Sequence, residues 1–99
     1  MRAYNIKVKL IGTNFKDKFD RRTELYETEE YEVTQVAFVA LDAKDDADAM
    51  RKISENGFDS PDIERIDDVE IKAMYSAPIS DEDADPDSYE VEYGRVEII

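Results

Sequence analysis

The chain has 99 residues, 41% of them apolar and ten of them aromatic, which is enough for one small packed core and too much for a disordered segment. It contains no cysteine and no histidine, which excludes disulfides, thiolate metal sites and the commonest general base. Twenty-six acids against thirteen bases give a net charge of −13, a field that repels nucleic acid and anionic membrane and attracts basic surfaces over about 8–10 Å at physiological salt.

The first element is a half-buried strand. In RAYNIKVKLI, Tyr4, Ile6, Val8 and Leu10 share one face, and Asn5, Lys7 and Lys9 share the other. Gly12-Thr13-Asn14 punctuates it. The basic segment NFKDKFDRRT lacks a period and reads as a loop, with one helical turn in which Asp17 faces Arg21. ELYETEEYEVTQVAFVALD then reads as one long strand or two short ones. Val36, Phe38 and Ala40 alternate, Tyr31 and Val33 fall on the opposite parity, and a bulge near Thr34-Gln35 would return both sets to the core.

AKDDADAMRKISENG reads as a helix. Asp45 is its cap, Asp46 and Asp48 sit at the positive dipole end, and Arg51 and Lys52 lie towards the other end. Ala47, Met50 and Ile53 line one side, and Gly57 ends it. A third strand follows, with Val69, Ile71, Ala73 and Tyr75 alternating against Glu70, Lys72 and Met74. After an acidic segment comes YEVEYGRVEII, whose parity flips at Gly94 so that Val96 and Ile98 join the face of Tyr89, Val91 and Tyr93. The expected fold is a single α+β domain over residues 1–99. It has two layers, a mainly antiparallel four-stranded sheet in the order β-β-α-β-β with one helix packed on one face.

No targeting segment is visible, and the longest uncharged stretch, Val33–Leu41, is too short to span a bilayer, so a cytoplasmic location is expected. The three glycines are too scattered for a phosphate-cradling loop, and carboxylate pairs occur everywhere, so no catalytic residue and no cofactor are assigned. The stretch SDEDADPDS has part of the spacing of a calcium loop. Asp81, Asp83, Asp85, Asp87 and Glu92 fall at positions 1, 3, 5, 7 and 12, but position 6 demands glycine and holds Pro86, and both flanks alternate like strands. A hydrated hairpin loop is the better reading, and no metal ligand is assigned.

Six tyrosines could stack on bases, but the surrounding charge opposes phosphate, so direct nucleic-acid binding is not expected. Lys16, Lys18, Arg21 and Arg22 are expected to pair with nearby acids. The charge distribution itself is the lead. Residues 1–23 hold seven bases and two acids, a net of +5, while residues 24–99 hold six bases and twenty-four acids, a net of −18. The acids gather in blocks, and the candidate contact residues are Asp45, Asp46 and Asp48 in one and Asp81, Glu82, Asp83, Asp85, Asp87, Glu90 and Glu92 in another. Seven carboxylates over twelve extended residues give one charge per roughly 6 Å. Duplex DNA carries one per about 1.7 Å of axis, so two blocks would have to share a face to imitate it.

In size, lack of cysteine and acidic blocks such as SDEDADPDSYEVE and AKDDADA, the chain resembles the small phage-encoded inhibitors that imitate DNA to block CRISPR effectors or restriction systems. The resemblance is one of composition over the whole chain and transfers no individual residue. It implies a non-enzymatic protein whose partner is a basic nucleic-acid-binding protein, a CRISPR effector, restriction enzyme or other DNA-handling enzyme in a host cytoplasm. The alternatives are a small acidic scaffold, whose last strand RVEII would serve as a pairing edge in a homodimer, and a calcium-binding module.

Overall fold

The structure, a computed structural model, describes the whole chain, Met1–Ile99. Two strands of nineteen residues, β1 (Arg2–Asp20) and β2 (Leu25–Ala43), form an antiparallel hairpin paired without a break from Arg2↔Ala43 to Asp20↔Leu25. Helix α1 (Asp46–Asn56) follows, then β3 (Arg65–Pro78) and β4 (Tyr89–Ile98), which add to the two edges to give one antiparallel sheet in the order β3-β1-β2-β4. The α+β architecture is therefore as the sequence predicts.

The molecule is a rod of 65 × 21 × 19 Å. Its length comes from the hairpin, because β3 pairs with β1 only as far as Thr13 and β4 with β2 only as far as Val33. Beyond that level the hairpin runs on alone as a two-stranded arm. This corrects the loop expected over residues 14–23. Lys16 and Lys18 reach Glu29 across the ladder at 3.9 and 3.5 Å, Thr28 donates to Asp17, and the Phe19 and Tyr26 rings lie 5.1 Å apart. Such cross-strand pairs hold a ribbon that has no core beneath it. Both of its faces meet solvent, so its sequence carries no apolar alternation. The turn closes with Glu24 at φ 56° and the Arg22 amide donating to Asp20.

Directly paired residues share a face, so the apolar set of β1 selects the core set of β2. Tyr4, Ile6, Val8 and Leu10 stand opposite Leu41, Val39, Ala37 and Gln35, and these β2 residues are buried together with Val33 and Ala43. The bulge expected at Thr34-Gln35 is absent from the β1–β2 ladder. Val36, Phe38 and Ala40 instead face away from the helix, with Phe38 42% exposed. Gln35, a polar residue in the core-facing set, is what makes the wrong parity look apolar. In β3, register shifts at Lys7/Val8 and Ile11/Gly12 put Val69, Ile71 and Met74 opposite Leu10, Val8 and Ile6, while Ala73 and Tyr75 turn to the other face. In β4 the expected shift at Gly94 is present, and Tyr89, Val91, Tyr93, Val96 and Ile98 all pair with core-facing residues of β2. Glycine is required there, since a Cβ would sit 2.8 Å from the Val36 carbonyl oxygen.

The helix is capped as its sequence predicts. Asp45 accepts the Asp48 amide at 2.8 Å, and Gly57, at φ 65°, donates its amide to the Ile53 carbonyl. Its buried side differs from the expected one. Ala49 and Ile53 are buried, while Ala47 and Met50 face solvent, and no base lies in the last turn. In this rotation Lys52 reaches the end of the sheet, its ammonium donating to the carbonyls of Asp42 and Pro86 at 2.6 and 2.8 Å. So short a helix covers part of the sheet only. The segment 57–64 covers the rest with Phe58 and Ile63, held by Tyr89 Oη donating to the Gly57 carbonyl and the Asp59 amide donating to Tyr93 Oη.

Candidate functional site

Two acidic segments meet at the end of the rod opposite the arm. The chain leaves β3 at one edge and must enter β4 at the other, so residues 79–88 cross the ends of β1 and β2. Tight turns fold this crossing, with the amides of Asp83 and Ala84 donating to the Ser80 carbonyl and that of Ser88 to the Asp85 carbonyl. It is fastened to the sheet by the Asp85 amide donating to Asp42, by Ser88 Oγ accepting the Asp42 amide, and by the Ile79 amide donating to the Met1 carbonyl. The helix N-terminus lies alongside, because β2 ends at the same level.

Between them is a cleft of about 520 Å³, lined by Met1, Lys44, Asp48, Arg51, Lys52, Asp81, Ala84, Pro86 and Asp87. Four positive groups therefore stand among its acids. Asp48 is engaged by Arg51 at 2.6 Å, by Lys52 at 3.9 Å and by the Lys44 amide at 3.1 Å, and Arg51 also holds Glu55. The Lys44 amide first, and Arg51 after it, hold the Asp48 carboxyl below the usual carboxylate range. Asp46 accepts from Tyr4 Oη at 2.7 Å, and burial first, then this bond, raises the Tyr4 phenol above its usual value.

Of the ten candidate contact residues, Asp45, Asp46 and Asp48 thus serve the helix start and its neighbours. Asp81 lies 3.5 Å from the N-terminal amine, Asp83 accepts from Ser80 Oγ, and Asp85 accepts the Asp87 amide. Asp81, Glu82, Asp83, Asp85 and Asp87 all remain exposed. Glu90 and Glu92 do not join them. They stand opposite Ala40 and Phe38, on the sheet face that no helix covers. On that same face the register aligns Glu30, Glu32 and Glu97, opposite Phe15, Thr13 and Thr34. Neither this alignment nor the place of Asp42 at the crossing is legible in the sequence, because the first depends on the cross-strand register and the second on the Asp42 carboxylate accepting the Asp85 amide. The flanks of the 79–88 crossing are strands, which removes the paired helices a calcium loop needs. No helix is long and apolar enough to cross a membrane.

The depressed Asp48 and Asp67 carboxyls predict an acid limb of stability. Asp67 is held low by the Thr13 hydroxyl first and by Arg65 second. A carboxyl lowered in the folded state stabilises it above the unfolded value, about 3.9, and that contribution is lost as pH falls through the folded one. Urea midpoints should accordingly fall below about pH 4, and less steeply in Asp48→Asn than in the wild type. An equal or steeper fall in the variant would contradict these assignments.

Comparison of the chain with family models, with curated proteins and with solved structures returns no match in any of the three.

Proposed function

We propose that the chain is a non-enzymatic binding protein that sets the carboxylates of its helix-start end into the basic, nucleic-acid-binding groove of a partner protein, displacing DNA. One observation carries this reading: two acidic segments distant in sequence, 42–48 and 81–87, are brought to one end of the rod. The crossing loop alone has five carboxylates in seven residues, one per roughly 5 Å if extended. That is sparser than a single DNA strand at about 3.4 Å, so the second segment is needed to approach it. The contact residues are Asp81, Glu82, Asp83, Asp85 and Asp87, with Asp45 beside them. A CRISPR effector or restriction enzyme is the kind of partner this chemistry fits.

A second reading has its own support. Lys44, Arg51 and Lys52 are interleaved with the acids, which suits a scaffold whose acidity serves solubility. Retention of a DNA-binding protein from cell lysate on the immobilised chain separates the two. The retained protein should be released by moderate salt and displaced by duplex DNA. Reversing Asp83, Asp85 and Asp87 to lysine should slow its association about tenfold at low salt. Retention indifferent to salt, to DNA and to the reversals would leave the scaffold reading.

A further inference from the structure

The sheet face turned away from the helix is covered by no layer, and we propose that a second copy of the chain covers it in a face-to-face dimer with the two arms pointing the same way. The argument comes from the register. One row across this face reads Lys7 on β1, Phe38 on β2 and Glu92 on β4, with an apolar strand between the two charges. Lys7 and Glu92 make no ion pair within the chain, and two strand spacings, about 10 Å, separate their backbones. Phe38 and Val36 are exposed along the middle strand, flanked by Ile11 on β1.

The order base, apolar, acid is complementary to itself under one two-fold rotation. With the axis parallel to β2 and lying over it, β1 of one copy faces β4 of the other at the same level. Phe38 then meets the second Phe38, and each Lys7 meets the second copy's Glu92. The other face-to-face rotation, with its axis across the strands, sets β1 over β1 and β4 over β4, which opposes like charges. In this row charge selects the first arrangement; in the neighbouring row Lys9 on β1 and Arg95 in the β4 bulge flank Val36, and there Arg95 meets the second copy's Lys9 with Glu70 beside it. Stacked sheets pack about 10 Å apart and cross at about 30°, which carries the arms, with Glu30 and Glu32, away from each other. The arrangement is independent of the proposed function, and it leaves both 79–88 crossings uncovered at one end.

Sedimentation equilibrium of the full chain from about 1 to 500 µM tests this. The wild type should move from the 11.4 kDa of one chain to twice that mass. Lys7→Glu and Glu92→Lys, each placing like charges together, should raise the dissociation constant at least tenfold, and the double exchange Lys7→Glu/Glu92→Lys should restore the dimer. Phe38→Asp should remain monomeric with an unchanged far-ultraviolet circular dichroism spectrum. All three substituted positions lie on the face that no layer covers, and that spectrum reports whether each variant is folded. A wild type that stays at single-chain mass throughout overturns the proposal. So does a folded double exchange no tighter than the single variants, or a Phe38→Asp that still dimerises.

Discussion

Replacing Gly12 with alanine should lower stability by about 3 kcal/mol and the melting temperature by roughly 12–24 °C. Gly12 is buried where β1 passes beneath the entry of β3, opposite Ile66 and beside the register shift at Ile11. A Cβ added there would run into Cγ2 of Ile63 and come within 2.5 Å of the Arg65 carbonyl oxygen. Ile63 is itself buried, so its methyl has no free volume into which to turn. The Arg65 carbonyl is backbone at the very start of β3, and moving it shifts the strand. Relief therefore requires displacing segment 57–64, the part of the second layer that the short helix does not provide. A thermal scan measures the effect. A variant melting within a few degrees of wild type would mean that β3 enters the sheet farther from β1 than described.

The elements whose one face is dry and other face wet were legible in the sequence. Tyr4 to Leu10 alternate without interruption, and the helix carries its own start in Asp45 and its own stop in Gly57. The bulge at Gly94 was legible because a glycine coincided with a change of parity. The arm was not, since a ribbon solvated on both faces has no alternation to detect, and its evidence lies in pairs such as Lys18 with Glu29 that only the register creates. Nor was the buried face of β2, where apolar residues occupy both parities and Gln35 breaks the correct one. The buried face of the helix was not legible either: it packs Ala49 and Ile53 inward and carries Lys52 to the carbonyls of Asp42 and Pro86, and no local pattern encodes a contact 34 residues away.

The candidate site divides in the same way. Its acids were countable, but their grouping depended on how the chain crosses between edges. Asp81 and Asp48 share a cleft because residues 79–88 pass over the ends of β1 and β2, and Glu92 leaves the group because strand alternation turns it to the opposite face. Arg51 and Lys52 enter the same cleft from the helix and neutralise Asp48. What remains exposed is the crossing with Asp45 beside it, a narrower acidic surface than the charge total of the chain suggests.

Gln35→Leu should be the most informative change in the core, with an expected loss of about 3 kcal/mol despite the similar side-chain volume. Gln35 is 1% exposed, and all of its amide is used. Its Nε2 donates to the Gly94 carbonyl at 2.8 Å and to Asp62 at 3.2 Å, and its Oε1 accepts from Ser60 Oγ at 2.6 Å. Leucine would leave the Ser60 hydroxyl proton without an acceptor and the Gly94 carbonyl without its side-chain donor, at about 1–3 kcal/mol for each group so deprived. Removing both members of a buried pair is far less harmful than removing one, so Gln35→Leu/Ser60→Ala should recover part of the loss. Urea unfolding measures both. A single variant as stable as wild type would show that water reaches these groups and that segment 57–64 is open. The predicted loss would instead establish one amide as the tie between the β4 bulge and the loop that completes the second layer, which is why a polar residue sits in the core-facing row.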